Sequence, residues 1–258
     1  MDLTFSLDEL VFFFCIMIRI TGFVYTAPFF TLKNVPRHYK VGLSLALALV
    51  MYHALPYEPL VYNNVVDFAL IVVKEVLAGV TLGFLGNICY QILSFSGQLI
   101  DMEIGFSMVN EYDPVTSATV TINSNLLNYS VMLVMMITFM HHYIVQALVD
   151  CFTVVPVGGV SFDPDIYTVA VKFIIDYFVI AFRIVLPVFA ALLIVNTVLA
   201  ILAKVSPQMN MFVVGMQLKV IVGLLVLYFV VQMIPSISDF IFNEMMEVMR
   251  DAVYYMRG

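Results

Sequence analysis

The sequence predicts an all-α membrane protein of five to six long hydrophobic helices arranged in hairpins. Three observations carry that prediction. The 258 residues are 63% hydrophobic and only 11% charged, with a mean hydropathy of +1.04. Soluble domains average about 45–50% apolar and about 25% charged residues. Apolar runs then alternate with short polar loops, and the longer runs exceed the ~20 residues that a helix needs to cross the hydrocarbon core. Finally, one extended polar interruption, residues 96–125, divides the chain near its middle.

The elements follow in order. The N-terminal stretch is acidic where a cleavable signal would be basic, so the first apolar run, 10–32, is expected to be retained. Arg19 lies near its middle. A charge there costs roughly 2.5–3.5 kcal/mol on insertion scales, so Arg19 should face protein or water. Residues 33–40 form the most basic loop and mark a cytoplasmic side at insertion. Residues 41–55 are apolar but short, and Gly42 with Ala46 permits close helix approach. After a Pro- and Asn-containing loop, residues 65–95 form a long run with a polar start at Asp67, Lys74 and Glu75. A spanning or buried helix is expected from Val76 onward, with Gly79 and Gly83 as a GxxxG pair.

Residues 126–149 read as one full-length apolar helix containing His141 and His142. Adjacent positions lie about 100° apart on a helix, so this pair lacks the i,i+4 spacing of metal ligands. The loop 150–164, with Pro156, Gly158, Gly159 and Pro164, is the best boundary and divides the chain into parts 1–160 and 161–258. Residues 169–204 are apolar for far longer than one crossing, and Pro187 is a candidate kink. Lys172 and Asp176 form an i,i+4 pair, and Arg183 and Pro187 continue that face. Residues 216–234 are the last apolar helix, with Lys219 near its start and Pro235 as its stop. Beyond it, Ile241, Met245, Val248, Ala252 and Tyr255 share one face of an amphipathic helix suited to a protein partner.

The central interruption brings Asp101, Glu103, Glu111 and Asp113 within thirteen residues, followed by Ser, Thr and Asn. Leu99, Met102, Phe106 and Val109 recur at helical steps, so its first half predicts a short amphipathic helix that breaks at Asp113-Pro114. Such a stretch is an aqueous loop or an element lining a cavity, because irregular backbone at membrane depth is tolerated only there.

Other chemistry is disfavoured. A net charge of −7 argues against nucleic acid, whose phosphates need basic surface. Cys15, Cys89 and Cys151 are dispersed and form neither a disulfide framework nor a metal spacing. No P-loop, HExxH, GxSxG or CxxC motif occurs, so no catalytic residue, metal or cofactor is assigned and an enzyme is not expected. Polar intramembrane residues leave an ion-coupled small-molecule transporter as the alternative class.

Several stretches resemble one family. Arg19 through Phe30, then Val35-Pro-Arg37 and Gly42 through Ala48, are similar to the N-terminal region of the FliR family of flagellar biosynthetic proteins. Gly97-Gln98 through Gly105-Phe-Ser-Met108 to Asp113-Pro114 is similar to its central motif. Leu186 through Asn196, followed by Pro207-Gln-Met-Asn210, Gly215 and Lys219, resembles its C-terminal motif. The Pro-Gln-Met-Asn-Met-Phe form looks flagellar, although injectisome export-gate subunits share the plan.

The resemblance implies a core subunit of a type III protein export gate in the bacterial inner membrane, at the flagellar basal body. It implies several copies each of FliP and FliQ as partners, FlhB at the entrance, FlhA as a larger ring, and unfolded substrates in transit. It further implies that 1–160 is FliP-like and 161–258 a FliQ-like hairpin, that several hydrophobic helices pack on neighbouring subunits and need not cross the bilayer as hydropathy suggests, and that membrane lipid is a further partner. The family's central loop plugs the closed channel. By motif match that role falls on Gly105, Phe106, Ser107, Met108, Val109, Asn110, Glu111, Tyr112 and Asp113. Arg19, Lys172, Asp176, Arg183 and Lys219 are expected as buried charges or subunit contacts.

Overall fold

Ser6 starts the first helix. Its hydroxyl accepts from the Glu9 backbone N–H at 3.2 Å, while the Glu9 carboxylate accepts from the Ser6 N–H at 3.1 Å. This reciprocal capping box satisfies two donors that a helix N-terminus otherwise leaves open. The computed structural model describes residues 6–31, 35–106, 110–113, 118–208 and 210–257. Within them lie α1 (Leu7–Thr26), α2 (Arg37–Ala54), α3 (Val65–Ile104), β1 (Asn110–Asp113), β2 (Ala118–Thr121), α4 (Ile122–Ile137), α5 (Met140–Val154), α6 (Ile166–Val205), α7 (Met211–Gln232) and α8 (Ile234–Tyr255).

Among the described residues the regular structure is α-helical except for β1 and β2. These pair antiparallel, with Asn110 opposite Thr121 and Asp113 opposite Ala118. The short amphipathic helix expected from Leu99 is instead the end of α3, which runs unbroken from Val65 to Ile104. Asp67, Lys74 and Glu75 do not delay that helix. Both α3 and α6 contain 40 residues. At 1.5 Å per residue each is about 60 Å long, twice the ~30 Å hydrocarbon core. Pro187 lies inside α6 without ending it.

By length and composition α3, α6 and residues 212–232 of α7 suffice to cross a membrane. The chain is an integral membrane protein. The expected single helix 126–149 is two helices, broken at Thr138 and Phe139, and only together do α4 and α5 suffice for a further crossing. Phe139 adopts a left-handed conformation (φ 59°), which interrupts the helical hydrogen-bond ladder. The first run, 10–32, is shorter than expected: α1 stops at Thr26, just before Pro28, and is not among the sufficient helices.

The chain divides into two compact units, neither contiguous in sequence. Unit 1 comprises Met1–Cys89, Phe139–Phe173 and Phe242–Gly258. Here α1 lies backbone to backbone on α3. A Cβ at Gly79 would strike the Arg19 carbonyl, and one at Gly83 would strike Thr26 Oγ1 and lie 2.7 Å from the Phe23 carbonyl. The GxxxG pair is therefore used within the chain. Gly42, by contrast, has no atom within 4 Å of where its Cβ would stand, so its expected close approach is not made here.

The α8 face is also internal. Ile241, at the end of unit 2, and Met245, Val248 and Ala252 are buried. Met245 and Met249 pack 3.5 Å from the position of a Gly86 Cβ, and the Ser161 N–H donates to the Met256 carbonyl at 3.0 Å. From Met245 onward that face is covered by other parts of unit 1, though Tyr255 stays half-exposed. Cys15, Cys89 and Cys151 are all free and buried, the first and third near Arg19.

Unit 2 comprises Tyr90–Thr138 and Ile174–Ile241. Asn210 caps α7 by accepting from the Phe212 N–H at 3.2 Å. α7 follows α6 after a short turn, and a Cβ at Gly215 would lie 3.2 Å from Leu199 Cδ1. Gly223 accommodates Ile104 of α3, and Phe95 packs on Tyr177 and Phe178. Leu186, Leu193 and Ile194 on α6, with Leu224, Leu225 and Phe229 on α7, are exposed. That is a surface for lipid or for other apolar helices.

Candidate functional site

The central excursion begins and ends on one polar seam. Tyr90, Ser94, Gly97 and Asp101 recur along α3 at helical spacing and meet the start of α4. The Tyr90 hydroxyl donates to the Asn128 carbonyl at 2.7 Å, and the Asn128 side-chain amide donates to Ser94 Oγ at 2.8 Å. Ser124 Oγ donates to the Ser94 carbonyl at 2.7 Å and lies 3.0 Å from Thr121 Oγ1. Gly97 lets the two backbones touch, because any Cβ there would collide with Ser124.

Asp101 closes this seam. Its carboxylate is fully buried and accepts from the backbone N–H of Asn123 at 2.9 Å and from the Asn123 side-chain amide. Asn123 is the second residue of α4, whose N-cap residue, Thr121, makes no side-chain capping bond. Asp101 therefore caps α4 from another helix. A carboxylate is well matched to this position, where free N–H groups and the helix dipole favour negative charge.

The chain leaves α3 at Gly105, with φ 99° and open space around its Cβ position. A side chain would be strained there, whereas glycine is not. It returns through β2 to Thr121, directly beside the Asp101 cap. Of the residues matched to a plug, Phe106 is half-exposed and Asn110–Asp113 have a described backbone in β1. Ser107, Met108 and Val109, and the expected break at Pro114, lie outside the described residues. Glu103 is half-buried.

Arg19 is enclosed by protein. It is 0% exposed and paired with Glu75, also 0% exposed, through two nitrogens, Nη2 to Oε1 being 3.0 Å. Nη1 donates to the Val155 carbonyl at 2.8 Å and Nη2 to the Pro156 carbonyl at 3.2 Å. The guanidinium carbon stands 4.4 Å over the Phe152 ring. Gly158, at φ 82°, turns its N–H onto Glu75 Oε1 at 2.8 Å. The pair thus binds α1 and α3 to the α5–α6 loop within unit 1.

The other charges differ. Lys172 pairs with Glu247 at 2.8 Å and Asp251 at 3.5 Å, not with Asp176. The reach to α8 replaces the i,i+4 geometry along one helix. Lys172 is 55% exposed. Arg183 is exposed, 5.9 Å from the Phe240 ring, and Asp176 and Lys219 are half-buried. The His141 and His142 rings lie tilted 4.2 Å apart, and His142 stacks on Phe139 at 5.7 Å. Among the described residues no three His, Cys, Asp or Glu side chains gather to hold a metal.

The sequence analysis took Asp101 only as one of four carboxylates in the polar interruption and missed its cap. The signal was there in the spacing of Tyr90, Ser94, Gly97 and Asp101, answered by Asn123, Ser124 and Asn128. Glu75 was likewise read as an interruption and not as the partner of Arg19.

Several helices long and apolar enough to cross a membrane define a polytopic membrane protein. The chain belongs to the bacterial export proteins, family 1, which it matches over residues 10–245. It is 28% identical over 246 residues to the flagellar biosynthetic protein FliR of Buchnera aphidicola, covering 95% of this chain and 92% of that one. To the FliR of Bacillus subtilis it is 29% identical, covering 93% of each. To that of Escherichia coli it is 24% identical, covering 93% of this chain and 92% of the relative.

Proposed function

We propose that this protein is a core channel subunit of the flagellar type III protein export gate, passing unfolded flagellar substrates across the bacterial inner membrane. In this reading it acts without catalysis, and residues 105–113 stop the idle channel. The observation that carries the reading is the family match over nearly the whole chain, joined to a polar excursion whose two ends meet at Asp101 and Asn123. A stopper must be anchored at its base and free at its tip. The cap on α4 supplies the anchor, and Gly105 lets the chain turn away.

The partners in this reading are several copies of FliP and FliQ, together with FlhB and FlhA. The exposed apolar faces of α6 and α7 suit such neighbours, and Asp176 and Lys219 are available for polar contacts with them. The close approach of Gly215 on α7 to Leu199 on α6 supports the reading of 161–258 as a FliQ-like hairpin, with 1–160 as the FliP-like part.

Deletion of Phe106–Tyr112 tests the stopper. The assembly should still form, and planar-bilayer recordings should show a raised resting ion conductance. Unchanged conductance overturns the assignment. Copurification with two other small membrane proteins separates the gate from an ion-coupled transporter, which would come out alone or as a homo-oligomer.

A further inference from the structure

Arg183 stands at one edge of a groove of about 290 Å³ in unit 2. Ile184, Pro187, Val230, Met233 and Ile237 make its walls apolar. Phe240 flanks the guanidinium, and Ser236 contributes the other polar side chain at the rim. No carboxylate pairs with Arg183 among the described residues. A lone cation over a greasy groove fits a ligand with an anionic head and a hydrocarbon tail.

The position of Arg183 along α6 points to the same class of ligand. Residues 184–203 carry no charge, and Lys204 follows. At 1.5 Å per residue this stretch is about 30 Å long, the thickness of one hydrocarbon core. Arg183 and Lys204 then fall at opposite headgroup levels. Pro187 adds an independent sign. It has no N–H for the carbonyl four residues earlier, which is that of Arg183 itself. A freed carbonyl is costly in hydrocarbon and tolerable at a wet interface. On α7, Lys219 falls within the same depth but is half-buried, so protein meets part of its cost.

We propose that this groove binds an anionic phospholipid, its phosphate on the Arg183 guanidinium and an acyl chain between Pro187, Val230 and Met233. Cationic clefts between membrane helices hold anionic headgroups in this way. The inference rests on α6 crossing the bilayer and is independent of the plug.

The test is lipid retention by the full chain, purified with the subunits it brings and exchanged into mixed micelles of phosphatidylglycerol and phosphatidylcholine. Native mass spectrometry should find phosphatidylglycerol retained in preference to phosphatidylcholine. Arg183→Gln should weaken that retention about tenfold, the scale of one charge-assisted contact. Val230→Phe fills the groove, leaves the cation in place, and should lower retention of the same lipid. It carries the test if Arg183→Gln does not fold. Equal retention of both lipids, or no change in either variant, overturns the proposal. So does an Arg183→Gln variant that sheds a protein subunit while keeping its lipid. Deletion of Phe106–Tyr112 should leave lipid retention unchanged, so failure of the stopper and failure of the lipid site are separate results.

Discussion

The Asp101 carboxylate accepts both the backbone and the side-chain N–H of Asn123, twenty-two residues further along the chain. One buried acid thereby completes the start of α4 and joins the two ends of the central excursion. Loss of the carboxylate leaves a buried amide and a helix end without an acceptor. Asp101→Ala should destabilise the protein by about 1–3 kcal/mol. It should also speed proteolytic cleavage between residues 105 and 121. Asp101→Asn keeps one acceptor oxygen and should lose less. Thermal unfolding in detergent and limited proteolysis read both effects, and equal stability of Asp101→Ala and the parent would contradict the capping role.

Arg19 and Glu75 predict an asymmetric double-mutant cycle. Removing one partner strands the other in a dry interior, a loss of about 3–5 kcal/mol in comparable pairs. Arg19→Leu and Glu75→Leu should each sharply reduce folded yield. The double variant should recover part of it, because no unpaired charge remains. Additive losses, measured by size-exclusion yield and thermal unfolding, would count against the pair as the principal contact.

Two glycines should respond oppositely to one methyl group. Gly79→Ala places a Cβ against the Arg19 carbonyl and should cost about 1–3 kcal/mol through separation of α1 from α3. Gly42→Ala meets nothing within 4 Å and raises helix propensity, so it should leave stability unchanged or raise it by up to about 1 kcal/mol. Thermal unfolding of the two purified variants decides the comparison.

The attachment of α8 should depend weakly on pH. Its hydrogen bond from Lys172 holds the Glu247 carboxyl below the usual carboxylate range. A depressed carboxylate stabilises the fold above its unfolded pKa, and that contribution is lost as pH falls through the folded value. Hydrogen exchange of the α8 backbone should therefore rise on acidification below about pH 4, the ordinary glutamate value. The effect should be small, since both side chains are more than half exposed. Glu247→Gln should remove the pH dependence, and an unchanged profile in that variant would exclude this pair as its source.

Much of the helical plan was legible because hydrophobic runs and proline stops are local signals. The boundaries near Pro36, Pro56 and Pro235 follow from proline chemistry alone, and the demand of Arg19 for a partner follows from its apolar surroundings. The identity of that partner was not legible, since Glu75 lies 56 residues away and only folding brings the two together. The break at Phe139 was hidden for a different reason. Nothing in its apolar neighbourhood marks a residue that adopts a left-handed conformation. Within the excursion, β1 went unread because its Asn and Asp favour turns over strands, and pairing with β2 outweighed that local preference. The internal use of the α8 face was likewise invisible, because an amphipathic stripe states that it must be covered but not by what.

The three native cysteines have a practical consequence. Each thiol is enclosed by packed side chains, so a bulky maleimide should find none of them in the folded protein. Single thiols placed one at a time along 105–121 would then be the only reactive ones, with no need to strip the natural background. Their modification rates, with and without an added export substrate, would test the proposed stopper role, which requires shielding of these positions by a chain in transit.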